Sequence, residues 1–393
     1  MENNTQPENE SLPSKPFVRL MPDVATRDRY HGCLIGGAVG DALGAPVEFL
    51  RHGEILRQFG PAGIIDMAPV YGRIGAITDD TQMALFTAEG MLRSYVRGST
   101  RGICNPAGVI AYAYQRWLHT QGEVHASHKH CLNGWLVSNQ ALHAQRAPGL
   151  TCLSALRETV STGQPALNDS KGCGGVMRVA PVGMMFQSLS ASYPAGRDEN
   201  FQRSFDLACE AAGLTHGHVT GQLASGAFSA LVFLVLEGKG LPDAVAIVLE
   251  VLGKHAGHDE TSSAIRHAVQ LSVDQPNSHL AIKALGGGWI AEEALAIGLY
   301  SALCTHDFES GVIMAVNHDG DSDSTGLIAG HLLGAIHGLS AIPDRWLAPL
   351  ELRNVLEEVA DDLATVGRWR LDDWSSPEAC AEENYYTARY PGG

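Results

Sequence analysis

The chain is short of basic residues and aromatics, and it has no closely paired cysteines and no membrane-length apolar run. Each lack removes a class of protein. Of 393 residues, only 27 are Lys or Arg against 43 Asp or Glu, a formal charge of −16. Such a chain repels phosphate backbones, so no nucleic-acid partner is expected. A basic membrane-surface protein is excluded on the same ground. The eight cysteines form no CxxC pair and are too sparse for a disulfide scaffold, so reduced thiols in a cytoplasmic protein are expected. The longest uncharged stretch, 211–236, has a dense apolar part at 223–236 that is too short to span a bilayer. It reads as a buried helix, and no membrane partner is expected. The opening residues, MENNTQPENESLPSKPF, carry neither the basic start nor the apolar centre of a secretory signal. Aromatics make up 7% while glycine reaches 44 residues, so small side chains do much of the packing.

What is present is a hydrophobic share of 45%, enough for a large core. Residues 1–24 stand apart as a polar arm rich in Asn, Glu, Ser and Pro, either mobile or ordered by a partner. From 25 to 393 no linker, charge block or repeat divides the chain, which reads as one domain. Alternating strand patterns are almost absent. Helical patterns dominate, over 25–43, 78–93, 106–120, 201–212, 217–237, 242–252, 260–271, 291–304, 308–317, 324–336 and 350–366. The expected fold is all-α. Within the first segment, Gly32, Gly36 and Gly40 recur at fourfold spacing and line one helix face, which lets another backbone come close.

Two acidic clusters carry the chemistry. One is Thr78-Asp79-Asp80-Thr81, and the other runs from His318 through Asp319, Asp321, Asp323 and Ser324 to Thr325. Both sit at the start of an apolar helix, where Thr78 and Ser322 are ordinary caps and acids are mildly stabilising. The pairing suggests more. Asp79 and Asp80 diverge by about 100° on a helix and could address two neighbouring ions. Asp321 and Asp323 alternate, so both can face one point. Four converging carboxylates without a cation would raise one another's pKa. With hydroxyls from Thr78 and Ser324, the all-oxygen set suits Mg²⁺, Mn²⁺ or Ca²⁺. An EF-hand loop is rejected, because Ser324 stands where glycine is required and Gly330 where the bidentate glutamate belongs.

A polar glycine-dense loop, Ser170-Lys171-Gly172-Cys173-Gly174-Gly175-Val176-Met177-Arg178, offers backbone N–H groups to an anion. It matches neither a Walker A loop nor a dinucleotide fingerprint. Cys173 reads as a packed thiol as readily as a nucleophile. His125, His128 and His130 read as loop residues, and His216 as a structural or pocket-lining histidine. A phosphohydrolase built on His-Asp pairs would need more than His258-Asp259 and His318-Asp319, which have no partner set.

The motifs GGAVGDALGAPVE (36–48), TDDTQM (78–83), SKGCGGVMRVAP (170–181), LTHGH (214–218) and GDSDSTGLIAG (320–330) occur in one order. This series closely resembles the ADP-ribosylglycohydrolase family over about 28–338. The resemblance implies a single all-α domain with two Mg²⁺ or Mn²⁺ ions at the base of an ADP-ribose cleft. It implies metal ligation by Thr78, Asp79, Asp80, Asp321, Asp323 and Ser324, with Thr325 the alternative source of the last hydroxyl. Glu48 matches a glutamate that gates or contacts the metals. Ser170, Gly172, Cys173, Gly174, Gly175 and Met177 match the loop holding diphosphate and distal ribose, and His216 a histidine near the substrate. The implied reaction is hydrolysis at the ribose anomeric carbon, with Glu48, Asp80 or Asp323 as the base. The implied substrate is an ADP-ribosylated protein, modified most commonly on arginine; serine, small ADP-ribosyl compounds and nucleic acid are the alternatives. The arm at 1–24 is similar to extensions of bacterial immunity proteins, which implies a cognate ADP-ribosyltransferase toxin as a second partner.

Overall fold

The computed structural model describes residues 17–123, 131–159 and 162–392. The loop histidines His125, His128 and His130, and residues 1–16 of the polar arm, lie outside the described residues. The regular structure of the described residues is almost wholly helical. Its helices are α1 (Val24–Gly44), α2 (His52–Phe59), α3 (Asp79–Arg101), α4 (Pro106–Thr120), α5 (Leu150–Glu158), α6 (Ala180–Ser192), α7 (Arg197–Gly213), α8 (Val219–Glu237) and α9 (Leu241–Leu252). There follow α10 (Asp259–Asp274), α11 (His279–Leu285), α12 (Ala291–Cys304), α13 (Phe308–Val316), α14 (Ser322–His337), α15 (Asp344–Leu347), α16 (Arg353–Thr365) and α17 (Pro377–Arg389). Two short antiparallel strands, β1 (Pro69–Val70) and β2 (Arg73–Ile74), form a hairpin between α2 and α3.

Local chemistry sets the boundaries. Asp23, Thr78 and Asn105 cap α1, α3 and α4 with side-chain oxygens. Gly102, in the left-handed region at φ 73°, ends α3, which therefore runs past the expected stop at residue 93. Asp321 caps α14, so that helix begins at Ser322 and holds Asp323 in its first turn. The apolar α8 is long enough to cross a membrane, but 89% of its central window lies inside the fold. It is a core helix.

Helices α1 and α14 pack backbone to backbone. A methyl on Gly40 would lie 1.9 Å from the Gly326 carbonyl oxygen, and one on Gly330 2.1 Å from that of Gly36. Likewise a methyl on Gly334 would lie 1.8 Å from the Gly32 oxygen. The stripe expected on α1 thus meets a second glycine stripe on α14. Because the helices run in opposite directions, the N-terminus of α14 comes to the C-terminal end of α1. That crossing places Asp321 and Asp323 beside Asp41 and the following turn, which carries Glu48.

The tail packs on the domain. Trp369 stacks on Tyr386 at 3.6 Å between ring centroids, and Phe17 lies 4.8 Å from the ring of Tyr385. Arg19 donates to Asp362. From Phe17 onward the chain is therefore held against α16 and α17.

Candidate metal centre and substrate cleft

The centre is built where two helix N-termini meet. Thr78 accepts the Asp80 N–H at 3.2 Å and opens α3, leaving Asp79 and Asp80 in its first turn. On α14, Asp321 and Asp323 accept the Ser324 N–H at 3.4 and 3.0 Å. The Ser324 hydroxyl then donates to Asp80 Oδ1 at 2.7 Å, linking the clusters. Thr325 faces away from Asp80. Its hydroxyl lies 2.8 Å from His318 Nε2 and donates to the carbonyls of Ala315 and Asp321. Of the two candidate hydroxyls, Ser324 is the one among the acids.

Glu48 completes the group. One carboxylate oxygen each from Glu48, Asp321 and Asp323 lie within 4.8 Å of one another, and all three side chains are buried. Among the described residues, Glu48 Oε2 has no hydrogen-bond partner. Burial first, then the charges of Asp323, Asp321, Asp79 and Asp41, push its carboxyl up to about 11. Burial and Asp323 also hold Asp79, Asp80 and Asp321 well above the usual carboxylate range. An orphaned buried oxygen among mutually repelling oxygens is the chemistry of a hard-cation site, and the set fits one.

The glycine loop comes to the same place. Cys173 to Gly175 form a short 3₁₀ turn, and the Cys173 N–H donates to the Trp289 carbonyl at 3.1 Å. Met177 Sδ lies 4.0 Å from the Ser324 hydroxyl. The Cys173 thiol is pushed well up by burial and by Asp321 and Asp80, which disfavours a thiolate nucleophile. His216 lies beneath the loop: methyls on Gly172 and Gly174 would come within 3.3 and 3.1 Å of its ring. Burial, then Arg178, lowers His216 to about 3, so it is neutral; its Nδ1 lies 2.8 Å from the Thr215 hydroxyl. Ser170 accepts the Gly172 N–H at 3.3 Å and shapes the loop. Thus Cys173 and Met177 lie beside the acids, while His216 and Ser170 support the loop.

Several residues at the site have no signal in a motif read one residue at a time. Asp41, inside the glycine motif, accepts the Thr78 N–H at 3.0 Å and the Thr81 N–H at 3.2 Å, so it anchors the turn that carries Asp79. Glu351 accepts from Arg146, Arg73 and the Ile77 N–H, bracketing that turn from the other side. Tyr71, on the β1–β2 hairpin, has its phenol raised by burial and then by Glu48 and Asp323. Phe49 and Trp289 stack at 5.9 Å between centroids and are exposed, one next to Glu48 and the other next to the glycine loop. Only Asp41 lay within a recognised motif; the others come from segments without pattern.

An all-α fold thus brings two acidic helix starts and a glycine loop together around an acidic cluster that could hold a metal ion. The sequence profile of the ADP-ribosylglycohydrolase family matches residues 22–372, and the chain belongs to that family. It is 25% identical over 359 residues to the ADP-ribosyl-[dinitrogen reductase] glycohydrolase of Rhodospirillum rubrum, covering 88% of this chain and 99% of the relative. The ADP-ribosylarginine hydrolase Tri1 of Pseudomonas putida is 25% identical over 88% of this chain and 80% of its own. A solved structure described as an ADP-ribosylglycohydrolase-related protein complex superposes with a TM-score of 0.61 at 28% identity, covering 87% of this chain and 99% of that one. By class the chain is a hydrolase of ADP-ribosyl bonds.

Proposed function

We propose that the protein is a divalent-metal-dependent hydrolase that removes ADP-ribose from modified protein side chains, with arginine as the linkage. The observation that carries the metal dependence is the convergence of Glu48, Asp321 and Asp323 within 4.8 Å around an unpartnered oxygen. The arginine linkage rests on the named activity of the Tri1 relatives. The ligands are Thr78, Asp79, Asp80, Asp321, Asp323 and Ser324, with Glu48 at their edge, and they suit two Mg²⁺ or Mn²⁺ ions. Such ions supply Lewis acidity and offset the carboxylate charge.

The chain's own residues do the rest. The N–H groups of the loop from Gly172 to Gly175 receive the diphosphate, which needs backbone rather than side chains at close range. Phe49 and Trp289 present aromatic faces at the rim. Cleavage at the ribose anomeric carbon passes through an oxocarbenium-like state, which the surrounding carboxylates stabilise. Water attacks that carbon and gives its proton to a carboxylate, Glu48, Asp80 or Asp323. The carbon–nitrogen bond breaks, and the departing guanidine takes up a proton.

The test is release of ADP-ribose from an arginine-modified protein, with Mg²⁺ and then with EDTA, by the wild type and by Asp323→Ala. Release that needs the ion and is lost in the variant is expected. Release that persists in EDTA or in Asp323→Ala would overturn the metal site. No release alongside tight ADP-ribose binding would overturn the arginine linkage.

A further inference from the structure

The β1–β2 hairpin turns through two residues, Tyr71 and Gly72, between the paired Val70 and Arg73. Both turn residues have positive φ, 51° and 80°. A turn of this kind favours Asn or Asp followed by Gly, and a bulky tyrosine in its first place is strained. Such strain persists only where the surrounding structure enforces it, and it gathers at ligand sites.

The hairpin is anchored beside the acids. Arg73 Nη1 donates to Glu351 Oε1 at 2.8 Å, and Arg146 donates to both Glu351 oxygens at 2.9 and 3.2 Å. Arg146 Nη1 also donates to the Ile77 carbonyl at 3.0 Å, and the Arg146 carbonyl accepts the Asp79 N–H at 3.2 Å. The Arg146 guanidinium lies over the Tyr71 ring, 5.4 Å from its centroid. Glu351 and Ile77 already hold Arg146, so the ring is not needed for that task. Tyr71 itself is 40% exposed.

The hairpin and the glycine loop meet the acidic group at different members. The loop touches Ser324 through Met177 Sδ, and Ser324 donates to Asp80. The hairpin reaches the turn of Asp79 through Arg146. Electrostatics agree. After burial, Asp321 and Asp80 raise the Cys173 thiol, whereas Glu48, Asp323, Asp41 and Asp79 raise the Tyr71 phenol. With the diphosphate on the loop and the reacting ribose over the acids, the group beyond the bond that breaks falls toward Tyr71.

We propose that Tyr71 is a specificity-determining residue, whose exposed ring receives the modified side chain of the substrate, a planar guanidinium. A cation over a tyrosine face is attracted by the ring quadrupole, the more so once water is excluded. A guanidinium also stacks on an aromatic face, which an ammonium cannot do. Arg146 shows that a guanidinium fits over this ring. The inference rests on the diphosphate placement and arginine linkage proposed above. Free ADP-ribose lacks the group that Tyr71 receives, so the two ligands separate its role from theirs.

Calorimetric titration of the full chain in EDTA, with ADP-ribosylarginine and with ADP-ribose, tests it without turnover. The wild type is expected to bind ADP-ribosylarginine more tightly. Tyr71→Ala should weaken that ligand about two- to thirtyfold, the range of a cation–π contact, and leave ADP-ribose unchanged. Tyr71→Phe keeps the ring and should keep the preference. Tyr71→Asn removes the ring with a residue that suits positive φ, so it should lose the preference even if Tyr71→Ala does not fold. Equal weakening of both ligands in Tyr71→Asn would make the residue structural and overturn the proposal, as would unchanged affinity for both. A wild type that binds ADP-ribose without preferring ADP-ribosylarginine would overturn the proposal and leave the hydrolase reading standing. A wild type that binds neither would overturn the diphosphate cradle, and this inference with it.

Discussion

The Ser324 hydroxyl donates to Asp80 at 2.7 Å, across 244 positions of sequence, and so ties the start of α14 to the start of α3. Thr325, one place on, spends its hydroxyl on His318 and on backbone carbonyls. The two hydroxyls should therefore fail differently. Ser324→Ala is expected to keep its melting temperature and lose about 10- to 100-fold in metal affinity or activity, as for a lost supporting oxygen. Thr325→Val should instead cost about 1–2 kcal/mol of stability and leave turnover of the folded enzyme near normal. Metal titrations of activity alongside denaturant melts distinguish them. The reverse pattern would put Thr325 in the site.

Asp41 is a scaffold for the site rather than a part of its rim. It is fully buried and takes hydrogen bonds from the Thr78 and Thr81 backbones and from the Thr81 hydroxyl. Asp41→Ala leaves those buried donors unpaired, at about 1–3 kcal/mol for each group without a substitute. A fall of several degrees in melting temperature is expected, together with a fall in turnover because Asp79 and Asp80 follow directly. Asp41→Asn, which keeps one acceptor, should recover part of the stability. Equal stability of wild type and Asp41→Ala in urea melts would refute this role.

The acidic centre makes a prediction about pH with a definite sign. Burial and then Asp323 raise Asp41 to about 7, and the same causes raise Asp79, Asp80 and Asp321, whereas unfolded carboxyls titrate near 4. With folded values above unfolded ones, the metal-free fold holds more protons than the unfolded chain in that window. Its stability should therefore fall as pH rises from about 4 to about 7, and further as Glu48 ionises. A divalent cation replaces those protons. The gain in melting temperature from Mn²⁺ over EDTA should be small near pH 5 and grow toward pH 8. A gain that stayed level or shrank across this range would mean that these carboxylates do not hold the ion.

Much of this was legible in the sequence, and the exceptions have physical causes. Helices such as 106–120 and 291–304 follow from apolar periodicity and caps, and their observed bounds are the same. The start of α3 was visible because Thr78 is cap chemistry, whereas α14 was expected from 324 with Ser322 as a cap and begins two residues earlier, because the Asp321 carboxylate is the cap. Helices α2, α5, α6, α11, α15 and α17 were not foreseen. Most are short, and α6 is buried along nearly its whole length, so it carries no amphipathic period. The contact between Arg146 and Glu351 joins positions 205 apart, and neither residue has a local pattern. The glycines of α14 went unread as a stripe, because Gly326, Gly330 and Gly334 acquire meaning only once α1 lies against them.

That glycine contact leads to the last prediction. A methyl on Gly40 would sit 1.9 Å from the Gly326 oxygen and 2.3 Å from its carbonyl carbon, and both are backbone atoms that no rotamer change can move. Gly40→Ala must push α1 and α14 apart at the end that carries Asp41 and Asp323. Overpacking of this kind costs about 1–3 kcal/mol, and the upper end is expected where backbone meets backbone. Turnover should fall more than stability, because separating the helices also separates Glu48 from Asp321 and Asp323. Gly53 is the control: it lies in α2, and among the described residues nothing comes within 4 Å of an added methyl. Gly53→Ala should be neutral or stabilising by up to about 1 kcal/mol. Thermal melts and ADP-ribose release on the two variants decide the matter. A Gly40→Ala protein as stable and active as Gly53→Ala would show that the α1–α14 contact does not set the geometry of the acids.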